Sequence, residues 1–259
     1  MFCYQCEQTA KGTGCTIQGV CGKQPEVAAL QDLLLYTLMG LSQVAVTGRT
    51  VGVSDRGVNV FTVKAAFSTL TNVDFDADRF MDLINQAAAK REGLKVKVQA
   101  AGGQGDWPAG AATLQPESTL EGLVSQGEQV GLHSYPGDNP DILSLKHTVL
   151  FGIKGVSAYA DHALILGQEA ESVYATVHEG LAAIQRDDMG LDEWVAMALR
   201  CGEAAYQAMA LLDAGNHPAL HVEGLPPTLP LGGVRLCCGR GTVRRYRPEG
   251  YRTPNREHL

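Results

Sequence analysis

The sequence predicts an all-α fold: two packed helical bundles with an N-terminal cysteine-rich cluster loop and an irregular C-terminal tail. Three observations predict it. Apolar residues recur at three- and four-residue steps through most of residues 25–213. Two-residue alternation is absent from that body, Leu94–Val98 being the one stretch that admits a strand. Gly, Pro, Ser and Gln gather at about 102–137, which reads as a loop between two groups of helices.

Each element follows from its own residues. Pro25 and Glu26 suit a helix start, and Val27, Leu30, Leu34, Leu38 and Leu41 continue it. A second helix is expected from about Val58 to Leu70, with Phe61, Ala65 and Ser68 on one side. Asp76 and Asp78 open a third, carrying Phe80, Leu83, Ile84 and Ala87. Lys90 and Arg91 in its last turn and Gly93 beyond match the helix dipole. Asn139-Pro140-Asp141 supplies a cap, a first-turn proline and an acid. From there Ile142, Leu145, Val149, Ile153, Val156, Ala160 and Ala163 keep helical spacing until Gly167. Val173, Val177, Leu181 and Ile184 mark another helix, and Trp194, Ala198, Cys201, Ala205, Ala208 and Leu212 the last.

Composition bounds the function. The 259 residues are 45% hydrophobic, enough for a sizeable core, which excludes wholesale disorder. A net charge of −7 argues against a general nucleic-acid binder. Even Leu30–Leu41 is interrupted by Gln31, Asp32 and Gly40, so no membrane span is expected. No basic segment followed by an apolar one opens the chain, and a cytoplasmic location is the expectation.

The chain joins two kinds of sequence near Asp213. Residues 1–214 hold 14 Lys and Arg against 25 Asp and Glu, a balance of −11. Residues 215–259 hold seven Arg and three Glu, a balance of +4, with six of the eleven prolines. That sets residues 214–259 apart as a divergent tail after a helical domain at 25–213, with the cysteine-rich residues 1–24 as a separate N-terminal segment.

The cysteines carry the chemistry. Of seven, four lie at Cys3, Cys6, Cys15 and Cys21; Cys201, Cys237 and Cys238 follow much later. An odd count in a long chain argues against a disulfide framework. A two-residue gap lets the thiolates of Cys3 and Cys6 face one metal centre across a tight turn. Gly12, Gly14, Gly19 and Gly22 let the backbone wrap closely and aim N–H groups at sulfur. Lys11 and Lys23 stand ready to offset the negative charge of four thiolates. An all-cysteine set favours an iron–sulfur cluster. Structural zinc is the second reading, weakened by the five-residue gap between Cys15 and Cys21. Reduced thiols without metal are the third.

The segment MFCYQCEQTAKGTGCTIQGVCGK resembles the N-terminus of the hybrid-cluster proteins, also called prismane proteins or hydroxylamine reductases. It is similar to the form in which these four cysteines hold a 4Fe-4S cluster. The similarity continues through Leu30-Gln31-Asp32-Leu33-Leu34, Thr69–Asn72, Gly152-Ile153-Lys154-Gly155-Val156, Ala158-Tyr159-Ala160-Asp161-His162-Ala163 and Met209-Ala210-Leu211-Leu212-Asp213, about the first 213 residues. The resemblance implies the family's helical N-terminal domain and a cluster that relays electrons from a redox donor. In the full-length family it further implies a hybrid iron–sulfur–oxygen cluster, held by His, Glu and Cys of later α/β domains, and hydroxylamine as substrate. None of those later ligands aligns here: the chain reads Ala214-Gly215-Asn216-His217-Pro218 where the family reads otherwise. A frameshift or internal deletion near residue 214 is the expectation this raises, together with cluster binding and little reductase activity. A stand-alone electron-transfer module and a zinc-bound helical interaction protein are the rival functions.

Other candidates are weaker. Cys237-Cys238 with His217, His221 and Glu223 is an awkward chelating set, because adjacent cysteines rarely share one ion. Gly232-Gly233 and Gly239-Arg240-Gly241 lack the Lys-Ser/Thr ending of a phosphate loop. Arg240, Arg244, Arg245 and Arg247 around Tyr246 read as a solvated charge run. His133, His147, His162 and His178 are scattered. Tyr159, Asp161 and His162 read as packing or capping residues, and Cys201 as a buried, inert thiol.

Overall fold

A computed structural model describes residues 2–9, 12–103, 105–107, 109–131 and 139–220, with backbone alone at 217–220. Seven α-helices lie among them: α1 Pro25–Thr50, α2 Arg56–Ser68, α3 Ala77–Ala100, α4 Leu120–Val130, α5 Pro140–Ile165, α6 Glu171–Ile184 and α7 Leu191–Leu220. Among the described residues β geometry is confined to one antiparallel bridge, Cys3–Cys15, and the fold is all-α as expected. The chain divides into two compact units, residues 1–215 and 216–259. Of the second only the helical backbone to Leu220 is described, so Cys237, Cys238, His221, Glu223 and the arginine run lie outside the described residues, as does His133.

Local signals start most helices. Asn139 Oδ1 accepts from Asp141 N at 2.8 Å, opening α5 at the Asn-Pro-Asp signature. Asp76 Oδ1 accepts from the Asp78 and Arg79 amides at 3.0 and 3.3 Å at the head of α3. Asp55 accepts from Val58 N at 3.1 Å at the head of α2 and receives Lys97 Nζ at 2.6 Å.

Helix α1 is the central column, packed against α3, α4 and α6, while α2 packs on α5 and α5 on α6. Leu30, Leu33, Leu34, Leu38, Leu41 and Val44 on α1 are fully buried. Its length and composition would suffice to cross a membrane, against the sequence expectation, but 83% of that window is buried within the fold. The ion pairs Arg49–Glu171 and Arg56–Glu169, both at 2.9 Å, tie the α1–α2 corner to the start of α6.

Three expectations need correction, and glycine is behind each. Helix α3 does not stop at Gly93 but runs to Ala100, taking in the possible strand Leu94–Val98. Phe80, Ile84, Ala87, Arg91, Leu94 and Val98 form one unbroken buried stripe, and that burial outweighs the local cost of one exposed glycine. The stretch read as a linker at 102–137 contains α4, capped by Thr119 Oγ1 accepting from Gly122 N at 3.1 Å. Gly127 is a packing residue there: a Cβ on it would lie 2.1 Å from the Ala29 carbonyl oxygen of α1. Helix α7 passes through Gly215 to Leu220, where the tail was expected to turn irregular. A Cβ at Gly215 would sit 2.7 Å from Leu166 Cβ, so this glycine too permits close approach.

Candidate iron–sulfur site

The N-terminal loop is a small folded unit built on backbone hydrogen bonds. Phe2 N donates to Cys15 O and Cys15 N to Cys3 O, both at 2.9 Å, bringing the first and third cysteines side by side. The 3-10 turn Glu7–Thr9 follows Cys6, and both the Thr9 amide and its hydroxyl donate to Cys6 O, at 3.0 and 2.8 Å. Cys21 returns on the turn closed by Gly22 N to Gly19 O at 2.8 Å and Gly19 N to Lys23 O at 2.9 Å. Two glycines make that turn possible. Gly22 has φ 91°, and a Cβ at Gly19 would lie 2.7 Å from Lys23 O.

Cys3, Cys6, Cys15 and Cys21 thereby line a single small pocket, with Gln5, Lys23 and Thr71 among its other walls. Cys15 is buried, Cys3 and Cys6 are partly buried, and Cys21 is exposed, all four as free thiols. Among the described residues no three His, Cys, Asp or Glu side chains converge closely enough to hold a single metal ion. Thiols are soft donors, the class of ligand that iron–sulfur clusters take.

The loop is fastened to α5 and α2 by the two residues inside Cys3-x2-Cys6. Tyr4 stacks on His147 with ring centroids 5.1 Å apart, and Gln5 Oε1 accepts from Lys154 Nζ at 2.9 Å. The same ammonium donates to Thr69 O at 3.3 Å, just beyond the end of α2. Thr71 Oγ1 donates to Gln5 O at 3.4 Å. Across the pocket, Lys23 Nζ donates to Gln31 Oε1 at 2.6 Å, and Gln31 Nε2 donates to Asp74 O at 3.1 Å. Lys23 and Lys154 are each 1% exposed.

Asp32, partly buried one residue along α1, is the nearby carboxylate. Burial drives its pKa up, with the charges of Lys154 and Lys23 opposing. Burial likewise drives Lys154 down, with Asp32 and then Cys3 opposing and Lys23 reinforcing. This polar network escaped sequence reading because it joins residues 5, 23, 31, 69 and 154. One signal was legible: Lys154 falls on the apolar stripe of α5, next to Ile153 and Val156, where a lysine needs partners.

The remaining candidates stand apart. Cys201 is buried in α7, and burial pushes its thiol up to about 11, which suits an inert packing role. Asp161 pairs with Lys64 at 3.9 Å, and His162 meets the Phe67 ring edge-on at 5.4 Å, while Tyr159 is exposed. His178 is a core residue: the Ser42 hydroxyl donates to its Nδ1 at 2.9 Å, and its Nε2–H donates to Asn59 Oδ1 at 3.1 Å.

The Prismane/CO dehydrogenase family model matches residues 1–221. The chain is 59% identical over 232 residues to a hydroxylamine reductase of Syntrophobacter fumaroxidans, covering 90% of this chain and 43% of that protein. Hydroxylamine reductases of Methanocella arvoryzae and Solidesulfovibrio magneticus are 54% and 52% identical, covering 85% and 90% of this chain and 42% of each relative. The similarity therefore runs past Asp213, further than the motifs alone suggested, and the chain spans about two-fifths of the length of these curated relatives. With four thiols on one pocket and a family match over most of its length, the chain belongs to the Prismane/CO dehydrogenase family.

Proposed function

We propose that this chain holds a 4Fe-4S cluster on Cys3, Cys6, Cys15 and Cys21 and relays electrons as part of a hydroxylamine reductase-type system. Family membership implies iron–sulfur clusters. The cluster type and these four ligands are our reading, and the observation that carries it is the single pocket lined by all four thiols. The donor set fits: soft thiolates suit iron–sulfur chemistry, and two buried ammonium groups beside the pocket suit an anionic occupant.

When bound, such a cluster supplies one-electron transfer. The protein's own residues hold and shield it. Cys15 would hold it from the buried side and Cys21 from the exposed side, while Tyr4 and Gln5 fix the first cysteine pair against α5. In the overall reaction we propose for the system, hydroxylamine accepts two electrons and two protons, its N–O bond breaks, and ammonia and water leave. The relatives that carry that name are more than twice as long as the stretch matched here. We assign this chain the electron-carrying part, residues 1–24 with the helical body behind them, supplied by a redox donor in the cytoplasm. Residues 214–259 form the tail of this division.

Iron, acid-labile sulfide and zinc measured per chain after anaerobic purification test the assignment. About four irons with matching sulfide are expected. One zinc without iron would overturn it.

A further inference from the structure

Resting on the cluster reading above, the structure adds a role for the charges beneath the loop. Burying an ammonium group costs several kcal/mol unless opposite charge or good acceptors repay it. Lys23 and Lys154 are both buried to 1% exposure, yet their hydrogen-bond acceptors are neutral: Gln31 Oε1 for one, Gln5 Oε1 and Thr69 O for the other. The charged groups acting on Lys154 are Asp32, Lys23 and Cys3. Asp32 is the one carboxylate among the charges acting on Lys154. The four thiols meet beside these ammonium groups, since Lys23 and Gln5 line their pocket.

We propose that Lys23 and Lys154 are built-in counter-charges of the cluster, and that Lys154, acting through Gln5, favours its one-electron reduction. Lys154 is a positioning residue: it reaches the Cys3-x2-Cys6 turn through the Gln5 amide, and its ammonium acts across low-dielectric protein, where charge acts over longer range than in water. In the step concerned, one electron passes from a chemical reductant such as dithionite, the site gains one negative charge, and no covalent bond forms or breaks. A cation nearby stabilises that extra charge and so raises the potential.

The test is an EPR-monitored redox titration at one pH of anaerobically loaded wild type, Lys154→Met and Lys154→Arg. Lys154→Met is expected to keep its iron and shift to a more negative midpoint potential, and Lys154→Arg to move back toward wild type. A purely structural lysine would alter iron content or stability without that charge-dependent shift. Iron-loaded Lys154→Met with an unchanged or more positive potential would overturn the proposal alone. Should Lys154→Met fail to fold, Lys154→Gln keeps a neutral hydrogen-bonding group at the same place; its potential is expected to fall, and no change would overturn the proposal. A wild-type chain that assembles no iron would overturn the cluster reading itself.

Discussion

Gly40→Ala should destabilise the protein although alanine is the better helix former. The residue lies mid-way along α1, and a Cβ there would sit 2.0 Å from the Ala111 carbonyl oxygen and 2.3 Å from its carbon. Relief to ordinary contact demands that the 110–114 turn retreat by more than an ångström. That turn is clamped by the fully buried Arg91, whose Nη1 donates to Ala111 O at 2.9 Å and Nη2 to Leu114 O at 2.6 Å. Helix propensity contributes about 1 kcal/mol in favour of alanine. Against it stand ~1–3 kcal/mol for overpacking and ~1.5–3 kcal/mol if the charged hydrogen bond to Ala111 is lost. With both terms the net is a loss of about 1.5–5 kcal/mol. Gly93→Ala is the matched control: it is helical, exposed, and has no neighbour within 4 Å of a new Cβ, so a gain of up to ~1 kcal/mol is expected. Urea unfolding followed by far-ultraviolet circular dichroism reads both. If Gly40→Ala matched or exceeded wild-type stability, the close approach of α1 to the 110–114 turn would be wrong.

Further outcomes follow from the same packing. Gly127→Ala should lower stability by up to ~2 kcal/mol net of helix propensity in the same urea assay, because its Cβ would force α4 off the Ala29 carbonyl. Asp76→Ala removes an oxygen that caps two amides of α3 and should cost about 1 kcal/mol, read as a lower thermal midpoint. His178 gives a pH dependence. Burial, with the nearby charge of Arg49, lowers its pKa to about 3 in the fold from an ordinary value of 6.5. Below pH 6.5 the unfolded chain therefore binds a proton that the folded chain does not, and stability falls as pH drops toward 3 by about 1.4 kcal/mol per unit. His178→Gln should flatten that slope between pH 6 and 4, and an unchanged slope would show that the buried histidine is not its source.

How much of this was readable beforehand depended on whether the cause was local. The start of α5 was legible because Asn139 caps Asp141 two residues away, and the cysteine pocket because its backbone turns are closed by short-range bonds such as Gly22 to Gly19. Helix α4 was missed because its glycines and glutamines read as loop, while Gly127 serves a contact with Ala29, far away in sequence. The ends of α3 and α7 were missed for the related reason that burial of Leu94, Val98 and Gly215 overrides the local preference of glycine. The four cysteines could be proposed from spacing, but the Lys154–Gln5 and Lys23–Gln31 bonds could not. They join separate segments, and nothing in the spacing of residue 5 points to residue 154.

The most direct test of the central assignment is iron and acid-labile sulfide per chain in wild type and in Cys15→Ala, purified anaerobically side by side. Cys15 is the buried member of the set, bonded through its backbone to Cys3 and Phe2, so the alanine variant keeps the loop's framework while removing one thiol. The expected result is about four irons with matching sulfide in wild type, and loss of most of both in the variant. Equal iron in the two proteins, or zinc in place of iron in wild type, would contradict a cluster held by Cys3, Cys6, Cys15 and Cys21.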